Sequence, residues 1–325
     1  MIDPAVRQAA VRLRDSWIMP LLLGLALFAA ASILIDGFAS IRTARAILVL
    51  ASFVGLAAVG QSLVIVMGGI DLSIPFLVGF ANVVAAEAFG AGLPAPLVVA
   101  IVIGLTAGIG ALNGFLSKRF DVHPLIITLG IGTAALAAVL FWTAGFPSGS
   151  APDWITSFVS IGATTGPIPA PPIVLFWAAV TVVMIVVERS TSYGRRLFAL
   201  GSNPRAAKLA LVRPLRMWVI TFAISGAFAG VTGLLFLGFT GKAFGSVGEP
   251  LLFQTIAAVV IGGTSLIGGL GGYARTAMGA IVLILLSTML LGLGVSSSLI
   301  QAATGVLIIV LVSVYGREAA LRDTI

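Results

Sequence analysis

The sequence predicts an all-α integral membrane protein of about ten transmembrane helices, and three observations carry that prediction. Hydrophobic residues make up 59% of the 325 and charged residues only 9%, against roughly 25% charged in soluble domains. Apolar stretches long enough to cross a bilayer, about 20 residues each, recur along the whole chain. The basic residues fall between those stretches, and Lys and Arg beside spans mark the cytoplasmic face.

Residues 1–16 carry Arg7, Arg12 and Arg14 ahead of an apolar run from Trp17 to Ile35. That run exceeds the roughly 7 to 15 residues of a signal-peptide core, so it reads as the first anchor behind a cytoplasmic N-terminal segment. Nine further spans are expected near residues 44–67, 73–91, 96–117, 124–145, 171–188, 217–239, 250–267, 275–294 and 297–315. An even count returns Arg317 and Arg322 to the side of the N-terminus. The charges agree with that parity: fifteen basic residues fall inside, and Arg42, Arg45 and Lys242 fall outside. The longest external segment, residues 144–170, has no basic residue and is rich in Gly, Pro, Ser and Thr. It is expected to be periplasmic, ordered, and to hold a short interfacial helix around Trp154. The whole of 1–325 reads as a single transmembrane domain. Its glycine clusters, Gly104/Gly108/Gly110 and Gly268/Gly269/Gly271/Gly272, suggest tight packing of spans in lipid.

The one long polar interruption is residues 189–216, which hold Arg189, Arg195, Arg196, Arg205, Lys208, Arg213 and Arg216 and no carboxylate. It is cytoplasmic by the same charge rule. Asn203 followed by Pro204 is a helix start, since an Asn side chain caps free amides and Pro loses nothing at the first helical position. A short helix is expected from Pro204 to about Leu211. Gly201 is expected to be the left-handed residue closing an earlier turn, Tyr193 to Leu200. The loop is therefore folded rather than slack.

Several function classes find no residues to rest on. The pI is near 10.8, but the excess charge lies between spans and does not point to nucleic acid. There is no cysteine and one histidine, His123, so thiolate and histidine-based metal sites have no ligands. No GxxxxGK[ST], HExxH or GxSxG pattern occurs, and no series of buried acids or histidines suggests a proton relay. The bundle interior instead carries neutral polar side chains. Gln61, Asn82, Asn113, Thr128 and Gln301 are the expected solute path, suited to a molecule with many hydroxyls and no charge. Asp71, between Gly68-Gly69 and Ser73-Ile74-Pro75, either caps amides at a helix break or touches the solute directly. Glu87 lies near the outer end of its span and can reach water. The run Val64–Ser73 is echoed by Val259–Ser265, each a β-branched stretch broken by a glycine pair. Repeats of this kind, with broken helices along the substrate path, occur in transporters.

Four stretches, GQSLVIVMGGIDLS at 60–73, GALNGFLSKRFDVHPLIITLG at 110–130, YGRRLFALGSNPRAA at 193–207 and IAAVVIGGTSLIGGLGG at 256–272, together resemble the permease subunits of ribose-type monosaccharide ABC importers, within the branched-chain amino acid/ribose permease superfamily. The resemblance covers nearly the whole chain. It implies an ABC type II importer-like permease in the bacterial inner membrane, paired with a second permease subunit, either identical or different. It further implies two cytoplasmic ATPase subunits that bind ATP and Mg, since this chain carries no cofactor, and a periplasmic sugar-binding protein that delivers a monosaccharide or related polyol. Coupling to the ATPase is expected through Tyr193, Gly194, Arg195, Gly201, Asn203, Pro204, Arg205, Ala206 and Ala207. Two departures stand out: Ile74-Pro75 where the family usually has a small residue, and Lys208–Pro214 where it usually has a glycine. The competing class is a self-sufficient secondary carrier for a neutral polar solute, with a membrane-embedded enzyme as a remote third.

The topology is directly testable because the chain lacks cysteine. A cysteine introduced at Ser202 is expected to escape an impermeant thiol reagent applied to intact cells; labelling from outside would contradict the assignment.

Overall fold

The computed structural model of the protein describes residues 18–306 and 309; the N-terminal 1–16 segment, Trp17 and the far part of the tenth predicted span lie outside the described residues. Helices follow in the order α1 (Ile18–Leu34), α2 (Ile41–Val66), α3 (Ile74–Gly90), α4 (Ala95–Arg119), α5 (Pro124–Trp142), α6 (Asp153–Val159), α7 (Pro172–Ser190), α8 (Ser192–Ser202), α9 (Pro204–Leu209), α10 (Pro214–Thr240), α11 (Leu251–Ile261) and α12 (Tyr273–Gly292). A 3-10 turn covers Gly245–Gly248, and a last helix, α13, begins at residue 297. The all-α class expected from the sequence is what the structure shows, and a short helix does form around Trp154, namely α6.

Helices α2, α4, α5, α7, α10 and α12 are long and apolar enough to cross a membrane. Helices α1 and α3 are shorter, at 17 residues each. The stretch expected to span from 250 to 267 does not do so as one helix: α11 has 11 residues, roughly 16 Å of rise. Gly262, Gly263 and the glycines after them end it early. The connection 241–250 supplies the remaining path by running along α3. Phe244 N–H donates to Asn82 Oδ1 at 3.1 Å, and the backbones then nearly touch: a Cβ on Gly79 would lie 1.9 Å from Gly245 O, and one on Gly248 would lie 2.0 Å from Pro75 O. Non-helical backbone in a membrane is tolerable only where protein covers and satisfies it, and α3 provides that cover.

Helix α2 is the axis of the bundle. Every residue from Ala51 to Val66 is buried, as expected of a helix apolar on all faces, and α10, α12 and α11 pack around it. Tyr273 at the start of α12 donates to Gly55 O at 2.8 Å and accepts from Trp177 Nε1 at 2.9 Å, which ties α12 and α7 to α2. The most extensive helix pair is α4 with α10. Here the expectation about glycine divides. Gly110 and Gly114 meet α10 so closely that a Cβ would lie 2.1 Å from Phe222 O and 2.5 Å from Trp218 O, whereas Gly104 and Gly108 have nothing within 4 Å. Gly268, Gly269, Gly271 and Gly272 are not packing residues of a span at all. They form a loop with φ of +99°, +75°, +130° and +138°, which glycine alone adopts freely.

Gly110→Ala forces a methyl group against a carbonyl and is expected to cost about 1–3 kcal/mol, the usual range for overpacking. Gly104→Ala, in open space, is expected to be neutral or to stabilise by up to about 1 kcal/mol. Thermal unfolding of the two detergent-purified variants checks the contrast; equal effects would contradict the packing described.

Candidate functional site

Two helix breaks meet at the centre of the site. Helix α2 ends in a left-handed glycine, Gly68 (φ +91°), with Gly68 N–H donating to Ile65 O and Gly69 N–H to Val64 O, both at 2.9 Å. Helix α11 ends the same way: Gly263 (φ +80°) donates to Val260 O at 2.8 Å and Thr264 N–H to Val259 O at 3.1 Å. These are paired Schellman caps, so the sequence echo is a geometric repeat. The geometry aligns Gly68 with Gly263 and Gly69 with Thr264, one residue away from matching the two glycine pairs. The breaks then join, Gly269 N–H donating to Val66 O at 2.8 Å.

Helix α8 closes over this junction. A Cβ on Gly201 would stand 1.9 Å from Val66 O and 2.7 Å from Gly269 N, and Ser202 Oγ reaches Gly269 O at 3.5 Å. Gly201 is therefore not the left-handed terminus expected from the sequence. It lies inside α8, and what it supplies is the absence of a side chain where three backbone segments converge. The other end of α8 is anchored as firmly. Gly194 packs on Glu188 O, and Tyr193 shares a 2.9 Å hydrogen bond with Thr221. Burial pushes the Tyr193 phenol up to about 12, so it stays neutral.

Asn203 caps α9 as expected, its Oδ1 accepting from Arg205 N–H and Ala206 N–H at 3.0 Å each. The helix stops at Leu209, two residues before the expected end, because Leu211 turns left-handed (φ +60°). Leu211 N–H donates to Lys208 O and Val212 N–H to Ala207 O, both at 3.0 Å, another Schellman cap with leucine where glycine is usual. Of the residues expected to couple, Tyr193, Gly194, Gly201 and Ala207 (3% exposed) are buried within this chain or packed on its own backbone. Arg195 donates to Ser190 O and Ser192 Oγ. Pro204, Arg205 and Ala206 face outward. Beside them Leu209 and Leu211 are 87% and 88% exposed, two large apolar side chains standing out of a basic loop. Sequence reasoning passed over both, although leucines among arginines in a non-spanning loop were the available signal.

Deeper in the bundle, the structure brings Asp71, Asn113 and Thr128 together. Asp71 Oδ1 accepts from Ser73 N–H at 2.9 Å and Ser73 Oγ at 2.5 Å, and Oδ2 accepts from Ser225 Oγ at 2.6 Å. Asn113 Nδ2 donates to Ser73 Oγ at 3.0 Å, and Leu72 N–H donates to Thr128 Oγ1 at 3.0 Å. Helices α4, α5 and α10 are thereby pinned to the segment between α2 and α3. Asp71 holds the backbone of the break, with both oxygens occupied. Asn82 lies elsewhere, its amide satisfied by Gly233 O and Phe244 N–H. The Gln61 side chain is buried with neither amide atom bonded. Gln301 borders a separate cavity near Gln254. Glu87 is held by Ser148 N–H at 2.6 Å. A buried acid the sequence reading missed, Glu188, accepts from Tyr273 N–H through both oxygens at 3.0 and 2.9 Å and so caps α12 beside α8. Its position next to Arg189 disguised it as an interfacial charge.

A family described as the permease component of branched-chain amino acid transport systems matches residues 43–319. The chain is 32% identical over 283 residues to the probable ABC transporter permease protein YphD of Escherichia coli (strain K12), covering 85% of this chain and 82% of that one. It is 31% identical over 275 residues to the autoinducer 2 import system permease protein LsrD of Klebsiella pneumoniae, covering 83% and 81%, and 29% identical to the LsrD of Salmonella typhi over the same shares. No solved structure matches.

Asp71→Asn keeps one acceptor oxygen and turns an amide NH2 toward donors, an expected loss of about 1–3 kcal/mol with partial uptake retained. Asp71→Leu strands three buried donors and is expected not to accumulate in the membrane. Complete loss of uptake in a normally assembled Asp71→Asn complex would instead make the carboxylate a solute contact.

Proposed function

The chain belongs to the family of permease components of branched-chain amino acid transport systems, and from that footing we propose that it is the membrane subunit of an ATP-driven importer for a monosaccharide or related neutral polyol. In this reading it sits in the bacterial inner membrane with both termini and the α8–α9 segment cytoplasmic and residues 144–170 periplasmic. It pairs with a second permease subunit and receives its solute from a periplasmic binding protein. Separate cytoplasmic ATPase subunits hold the ATP and Mg. The relatives named for autoinducer 2 import place that molecule among the candidate solutes.

The observation that carries the reading is α9. A six-residue helix, capped at both ends, projects Leu209 and Leu211 outward with the cations Arg205, Lys208 and Arg213 exposed beside them. Exposed apolar side chains clustered in this way mark a protein contact, and arginines around them suit carboxylates on the partner. Leu211 also holds a left-handed conformation that costs about 1–2 kcal/mol without glycine, a sacrifice of stability that makes sense if its side chain is used by a partner. A self-sufficient secondary carrier has no use for such a knob. Beneath α9, the backbone contacts of α8 on both helix breaks supply a stiff route from the docking surface to the interior.

Leu211→Gly separates docking from folding because it relieves the strain while removing the side chain. Thermal stability is expected to hold or rise, while co-purification with the ATPase and solute-stimulated hydrolysis fall by about tenfold or more, the equivalent of 1.4 kcal/mol. Ala206→Asp, exposed rather than buried like Ala207, is expected to act in the same direction. Uptake by the unaltered chain in cells lacking the ATPase would instead establish the secondary carrier. Ligand identification on the cognate binding protein, with autoinducer 2 among the compounds offered, tests the solute class; a charged ligand would overturn the neutral-polyol reading.

A further inference from the structure

A cavity of about 320 Å³ opens between α2, α10, α11, α12 and the first turns of α13, where the 3-10 turn Gly245–Gly248 gives way to α11. It runs from Phe53, near the middle of α2, to Leu291 in the last turn of α12 and Ser297 and Gln301 in the first turns of α13, so it extends from mid-bundle toward the end where α12 and α13 join. The volume falls at the small end of ligand sites. Discontinuous helices in transporters line solute sites, and this cavity lies against one such short helix, α11.

We propose that this cavity holds the transported solute during passage, and that its ligand is an uncharged, ring-sized, polyhydroxylated molecule; the proposal rests on the importer reading above. Among the described residues the walls contain no charged side chain, which disfavours any ion or zwitterion that would have to shed its hydration there. Gln254 and Gln301 each offer a donor and an acceptor. The hydroxyls of Ser287 and Thr288 spend their hydrogens on Leu283 O (2.9 Å) and Ile284 O (2.7 Å), leaving acceptor lone pairs for solute hydroxyls. Phe236, half-buried and stacked on the buried Phe53 with ring centroids 4.3 Å apart, is an apolar wall against which the C–H face of a sugar ring can rest.

The Asp71 cluster is a poorer binding point. Its carboxylate oxygens are already occupied by Ser73 and Ser225, so a solute there would have to break the bonds that hold the α2–α3 connection. Asp71, Asn82, Asn113 and Thr128 are therefore assigned to holding the bundle, Gln61 lies buried away from the cavity, and Gln254 joins Gln301 as a specificity-determining residue.

The test uses the absence of cysteine. Gln254→Cys, Gln301→Cys and, on the outer face of the same short helix, Phe253→Cys (Phe253 is 52% exposed) are introduced separately into the complete transport complex. Each is challenged with the small uncharged thiol reagent iodoacetamide, which reacts with thiolate, with and without a mixture of D-ribose, D-xylose, D-glucose and autoinducer 2. The two glutamine positions are expected to react about tenfold faster than Phe253→Cys, since a thiolate in a wet cavity is available and one facing lipid is not. The mixture is expected to slow them about tenfold at ten times its dissociation constant, by mass action. A cavity filled by lipid would leave both positions as unreactive as Phe253→Cys and would overturn the proposal. Uptake of the same mixture by the cysteine-free complex separates the two readings. Uptake without protection sinks the cavity assignment alone, whereas absence of both uptake and protection sinks the neutral-polyol reading and the cavity with it.

Discussion

Val66 O and Gly269 N–H, paired at 2.8 Å, join two places where helices end inside an apolar bundle, and the rest of the site depends on how those ends are satisfied. In lipid each unpaired backbone group costs several kcal/mol. The breaks meet that demand from within: each closes with the same two capping bonds onto its own last turn, then bonds across to the other. Asp71 secures the segment leaving the first break, and Glu188 secures the start of α12 after the second. Helix α8 can lie on the pair only because Gly201, Gly268 and Gly269 present no side chains. A junction built from backbone bonds and glycines is stiff in the directions it packs. In the proposed function, that stiffness is the route by which a contact at α9 acts on the interior.

The same demand explains which parts of the sequence were readable. Apolar stretches fix where chain crosses the membrane, so helix positions followed from composition. Asn203 and Pro204 fix a helix start by local chemistry alone, and α9 begins there. The eighth span was misread because hydropathy reports transfer to lipid, not conformation: 250–267 is apolar throughout, yet the helix ends at Ile261 and 262–267 continues as glycine-led turns. Gly201 shows the complementary limit. Its identity signals that a side chain is unwelcome, but positive φ and close approach are alternative reasons, and the choice depends on Val66 and Gly269, more than sixty residues away on either side.

The polar interior was legible as an inventory but not as an arrangement. Asn113, Thr128 and Asp71 converge because α4, α5 and the α2–α3 connection face one another, whereas Asn82 and Gln301 belong to different surroundings. Ser73 and Ser225 complete the Asp71 cluster and look like any other small hydroxyl residue in the sequence. What distinguishes a solute contact from a structural hydrogen bond is spare bonding capacity beside open volume. Asp71 has its oxygens filled, and Gln254 and Gln301 border space. The proposed solute site is therefore the neutral cavity at the discontinuous span and not the charged residue that first draws the eye.

If the two breaks and α8 form one body, disturbing their common contact must loosen both breaks together. Hydrogen exchange of Gly201→Ala against the parent, followed in peptides spanning residues 64–75 and 260–273, measures this directly. The account predicts about tenfold or greater acceleration in both peptides, the exchange equivalent of about 1.4 kcal/mol of lost protection, although they lie far apart in sequence. Acceleration confined to α8, or to one break alone, would contradict it.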